Sequence, residues 1–229
     1  MILTLAAALA AAQPAPCPDV VTAEAFVCRA IRASAAAKPQ AAAESFEQAA
    51  LAVDAGNPEA SRLWAAAGNM WIAAGQPGKA ALALDKALAG SGLRAEQRGE
   101  ALLDRARAAE SQNHLQTARA KVTEAAALVP DDPFLWYFSA ALAIRETDPA
   151  TARSSIGKAL TLAPTDPVIL FEAGHVAQFT GDSVGARAYW TRATAADPNG
   201  EAGKAARDAI AMLDQPATAQ PEPKPKPKR

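Results

Sequence analysis

Three prolines set a ruler along this chain. Pro130, Pro164 and Pro198 stand 34 residues apart, and upstream of each, at constant offsets, come Ala125, Ala159 and Ala193, then Ala118, Ala152 and Ala186. The bulky Val122, Ile156 and Trp190 lie between the small residues. Each unit therefore closes on the form A-x-x-x-Φ-x-x-A-x-x-x-x-P, where Φ is large and apolar. Steps of three and four residues are those of one helix face. Self-similarity at a fixed period of roughly 20 to 50 residues implies a stack of like elements rather than one undivided globule.

A first helix precedes each such segment. It is plainest in PVILFEAGHVAQFTGD, Pro167 to Asp182, where Leu170, Gly174 and Ala177 recur at helical steps and Gly181 marks a turn. Asp132 before Pro133, Asp148 before Pro149 and Asp166 before Pro167 each pair a cap with a first helical position, and Asp182 can cap the helix after Gly181. Small residues at fixed offsets let two helices approach, and the bulky ones fill the gap left between them. Half of the residues are hydrophobic but only 5% aromatic, and 63 of the 229 are Ala, the strongest helix former, which favours helix over sheet.

This pattern resembles the tetratricopeptide repeat family, a 34-residue helix-turn-helix with the signature W-x2-L-G-x2-Y…A-x3-F…P. Residues 167–200 match with Gly174, Gly181, Ala186, Trp190, Ala193 and Pro198, and residues 133–166 add Trp136. Residues 99–132 match with Leu102, Ala106, Ala118, Val122, Ala125 and Pro130. Residues 61–94 match with Trp64, Gly68, Trp71, Gly75, Ala80, Leu84 and Ala87 but lack the proline. A weaker unit at 23–56 keeps Phe26, Ala30, Ala42, Phe46 and Ala49, with Lys38 and Pro39 at its turn. Ala42 to Ala80 and Ala80 to Ala118 are each 38 residues, four more than the ruler. Four residues make about one helical turn, so Pro58 to Ser61 and Ala95 to Arg98 are expected as extra turns at the start of first helices. The resemblance implies an all-α, right-handed α-solenoid of about five helix-turn-helix repeats over 23–200, closed by a capping helix at 201–214.

The two ends differ from the middle. Residues 1–12 begin with an apolar run, Ile2 to Ala12, that is about 16 Å long as helix, too short to span a bilayer. With Ala10 and Ala12 before Gln13 it reads as a signal peptide, although no Lys or Arg precedes it. Export to the periplasm or outside is expected, with a cytoplasmic location as the alternative. Residues 13–22 form a leader. Within it Cys17 and, on the first helix, Cys28 are the candidate disulfide of an exported chain; a buried Cys28 and a free Cys17 are the alternative. Residues 215–229 are a Pro- and Lys-rich tail expected to be disordered, with Pro221 to Arg229 able to extend about 28 Å. Four of the 23 cations and two of the 24 acids lie beyond Leu213, so residues 1 to 213 carry a net charge of −3. The tail is a cationic appendage suited to touch an anionic surface.

The near balance of charge, −1 in total, argues against nucleic acid as the partner. Two cysteines and the scattered His114 and His175 give no metal-ligand spacing, and no catalytic motif or cofactor fingerprint is present. Function is expected to reside in the surface of the first helices. Their second, fifth, ninth and twelfth places form a stripe rotated about 100° from the packing face. That stripe yields Arg62, Asn69 and Arg107 in the earlier units and Phe134, Tyr137, Phe171 and His175 in the later ones as candidate contacts for a protein or peptide partner. The later stripe is more apolar than packing requires, unless neighbouring helices cover it. Asn69 and Arg107 are similar to the carboxylate-gripping residues of some relatives, but Val27, Ile31 and Asp104 stand where the other members would be, so that grip is not carried over. The reading is a noncatalytic protein-interaction scaffold of the cell envelope that binds a peptide or helix of a partner in the concave groove of the repeat array. A cytosolic adaptor or co-chaperone, and a cell-envelope component tethered through its Lys-Pro tail, are the alternatives.

Overall fold

The computed structural model describes residues 16–54 and 56–214. The expected signal peptide, the start of the leader and the Pro/Lys-rich tail lie outside the described residues. Among the described residues are eleven α-helices and no strand. They divide after Leu93 into two compact units. The first contains α1 (Ala23–Ala35), α2 (Pro39–Ala52), α3 (Pro58–Ala73) and α4 (Pro77–Ala89). The second contains α5 (Ala95–Ser111), α6 (Leu115–Ala126), α7 (Pro133–Arg145), α8 (Pro149–Leu162), α9 (Pro167–Phe179), α10 (Ser183–Ala196) and α11 (Glu201–Leu213).

Helices pair through three-residue turns that share one geometry. The middle residue of each turn, Ala37, Gly75, Asn113, Thr147 or Gly181, lies at positive φ between 53° and 85°. The next residue donates its N–H five residues back: Lys38 to Ala33, Gln76 to Trp71, His114 to Ala109, Asp148 to Ala143 and Asp182 to Ala177, each at 2.9 Å. This is the Schellman closure of a helix, which satisfies carbonyls that the helix itself leaves open. On the entering side Thr22, Asn57, Asp132, Asp148, Asp166 and Asp182 accept first-turn N–H groups through their side chains. Thr147, a β-branched residue at φ 56°, is the most strained of the five turn residues. Thr147→Gly is therefore expected to stabilise the chain by about 1 kcal/mol, raising the midpoint by about 2–4 °C in a thermal melt followed by circular dichroism.

Alanines at the fixed offsets are fully buried. Ala42, Ala80, Ala118, Ala152 and Ala186 on the second helices have no exposed surface, nor do Ala30, Ala106 and Ala140 on the first. Volume is exchanged across the hairpin. At Gly174 a Cβ would run into the Trp190 indole, and at Gly68 into Leu84, whereas Ala140 shares its cluster with the smaller Ile156. The two extra turns are present: α3 and α5 have 16 and 17 residues against 13 in α7 and α9. Trp64, Trp71 and Trp190 are buried. Trp136 is only half-buried, its Nε1 donating to the Pro130 carbonyl at 2.6 Å and Lys158 Nζ standing 3.7 Å from its ring centre.

The ends of the described chain are fastened. Cys17 and Cys28 are bonded, with 5.8 Å between their Cα atoms. Arg29 donates to the carbonyls of Pro18 and Val20 at 3.2 and 3.1 Å, which lays the leader along α1. At the other end α11 packs against α9 and α10, with Ala206 buried among Leu170, Ala186 and Trp190 and with Ile210 and Leu213 against the same cluster. Arg187 pairs with Asp214 just beyond it. No helix among the described residues is long and apolar enough to cross a membrane.

Candidate functional site

In the second unit alternate helices lie side by side: α7 touches α9, and α9 touches α11. A half-buried clasp fixes α7 to the hairpin before it. Arg119 on α6 donates to Ser139 Oγ at 2.9 Å and to the Ser139 carbonyl at 3.2 Å, and pairs with Glu146, while Ser139 Oγ hydrogen-bonds Ser155 Oγ on α8 at 2.9 Å. At the end of α7, Arg145 donates to the Glu110 carbonyl at 3.0 Å and to Asn113 Oδ1 at 2.9 Å, and pairs with the Glu110 carboxylate. These contacts set α5, α7 and α9 in a fixed row.

The side chains proposed from sequence fall into three groups, of which only those on α5, α7 and α9 belong to that row. Arg62 and Asn69 belong to α3 of the first unit, both exposed. Phe134, 50% exposed, stands at the start of α7 with its ring edge-on to Tyr137 at 6.4 Å between centroids. Arg107, Tyr137, Phe171 and His175 come from α5, α7 and α9. Tyr137 is half-buried and packs against the cluster that contains Ile169, Ala173 and Val176 of α9. Phe171 is half-buried against the cluster of Leu170, Ala177 and Trp190, so both rings serve the core as well as the surface. His175 stands edge-on to Phe171 at 4.4 Å and to Trp190 at 5.7 Å.

One member of the row was not read from the sequence. Glu172, only 7% exposed, lies among these groups, and its carboxylate has one hydrogen bond among the described residues, a long one of 3.4 Å with His175 Nδ1. The signal available was that Glu172 is the single acidic residue of α9. Glu172 occupies the sixth helical place, off the stripe of second, fifth, ninth and twelfth places. Burial pushes the Tyr137 phenol above its ordinary value, the charge of Glu172 adds to the rise, and the charge of Arg107 opposes it. Arg107 itself is held by Asp104 at 3.2 Å. A half-exposed aromatic row around a buried carboxylate can grip a side chain. Among the described residues no group of three or more His, Cys, Asp or Glu could hold a metal ion.

Comparison with known proteins bears on the fold. No protein-family model and no curated protein matches the chain. Solved structures do. PilW, described as a widely conserved type IV pilus biogenesis factor, superposes with a TM-score of 0.67 at 20% identity over 81% of this chain and 83% of its own. PilF of Pseudomonas aeruginosa gives 0.66 at 16% identity over 85% and 83%. YrrB, described as a TPR protein with an unusual peptide-binding site, gives 0.59 at 15% identity over 82% and 92%. Paired helices with Schellman turns, small residues at fixed offsets and these likenesses agree: the chain has the tetratricopeptide-repeat fold.

Proposed function

We propose that the chain is a noncatalytic scaffold that holds a peptide or helix of a partner protein against the exposed side of α5, α7 and α9. The observation that carries this is the row of Phe134, Tyr137, Phe171 and His175, which keeps aromatic surface at a face where solvent is the only neighbour of Phe134 over half its area. The peptide-binding site ascribed to YrrB is in keeping with it. Work in the cell envelope after removal of residues 1–12 is supported by the Cys17–Cys28 bond, which suits an oxidising compartment.

A photo-crosslinking residue placed at Phe134 in the living cell tests the proposal against the same residue at Val184, 83% exposed on α10. A discrete adduct from position 134 and none from 184 is expected, in a chain whose mature mass lacks residues 1–12. Identical adducts from both positions, or none from 134, overturn the docking face. A mature chain that retains Met1 overturns export and leaves the docking face standing.

A further inference from the structure

A carboxylate withdrawn from water carries a cost that a close cation offsets. Glu172 is withdrawn to 7% exposure, and its one partner at 3.4 Å is an imidazole that is charged only when protonated. The cation that acts on Tyr137, Arg107, is already engaged by Asp104. Two further arginines of the unit are also committed, Arg119 to Glu146 and Arg145 to Glu110. The approach from solvent passes His175, whose side chain is 41% exposed. Phe171 and Tyr137 supply aromatic rings beside that approach, on which a guanidinium or an alkyl-ammonium stem can lie.

We propose that Glu172, flanked by Tyr137, Phe171 and His175, seats one basic side chain, arginine or lysine, of the partner segment, and so makes the docking face selective for basic sequences. This rests on the docking reading above and adds its chemistry. An acidic or neutral segment would leave the carboxylate without a cation and bring a second charge or none to it, whereas a charge-assisted hydrogen bond formed away from water is both strong and directional. The excess of acid over base in residues 1 to 213 favours the same sign of partner at longer range.

The test is a selection of random twelve-residue displayed peptides on the full chain, repeated on Glu172→Gln and on His175→Lys. The second variant places an ammonium on the carboxylate from three residues along the same helix, and keeps the test open if Glu172→Gln folds poorly. Enrichment of Arg or Lys at one position of the wild-type binders is expected. For a selected peptide, affinity should fall at least tenfold in both variants and at least tenfold when its basic residue is replaced by Gln. Peptides enriched without a basic residue, or bound within twofold by both folded variants, overturn the seat and leave the docking face intact. A wild-type selection that enriches no peptide overturns both.

Discussion

Trp190→Ala is expected to lower the free energy of unfolding by about 3–5 kcal/mol. The indole is 3% exposed and fills the space above Gly174, a residue with no side chain that could relax into a cavity. Its Nε1 also donates to the Phe171 carbonyl at 3.0 Å, so removal costs a buried hydrogen bond along with the packing. Urea denaturation checks the figure, and Trp190→Phe, which keeps a ring but loses the N–H, should fall between. Because the same indole meets the His175 ring at 5.7 Å, capture of a basic peptide should weaken in step with stability. A loss below about 1 kcal/mol for the alanine variant would mean that α9 and α10 close over the vacancy.

The corresponding variant of the first unit, Trp71→Ala, should cost about as much, for a different reason. Trp71 is 1% exposed on α3, donates from Nε1 to Glu47 Oε1 on α2 at 2.8 Å, and lies under Lys79 Nζ of α4 at 4.2 Å from its ring centre. One side chain thus joins three helices. Truncation opens a cavity and leaves a half-buried carboxylate without its donor. A chemical melt should show a loss of about 3–5 kcal/mol, and Glu47→Gln, which keeps an acceptor for the indole, should lose far less.

Much of this architecture could be read in the residues because the signals are steric. Alanine and glycine at fixed offsets announce close helix approach, Asp-Pro announces a cap and a first turn, and two four-residue excesses announce the longer α3 and α5. The turns were less legible. Gly75 and Gly181 mark themselves, but Ala37 and Thr147 adopt the same left-handed conformation against their own preference, because the paired helices impose it. At the candidate site the aromatic residues stood out by their excess of apolar area. Their double role did not, since whether Tyr137 and Phe171 face solvent or a neighbouring helix depends on the placement of α9 and α11. Glu172 escaped notice because a helical stripe drawn at ideal spacing has no way to mark a charge tucked into the seam between two helices.

The alanine-lined seams of the hairpins bear on how stability varies with temperature. Alanine hides little apolar area per residue and freezes almost no rotamers, so each buried Ala30, Ala42, Ala106 or Ala193 contributes a small gain against a small entropic cost. Heat capacity of unfolding follows the apolar area released to water. A chain cored in this way therefore has a broad, low stability curve, with folding maintained by many near-equal contributions across a wide span of temperature.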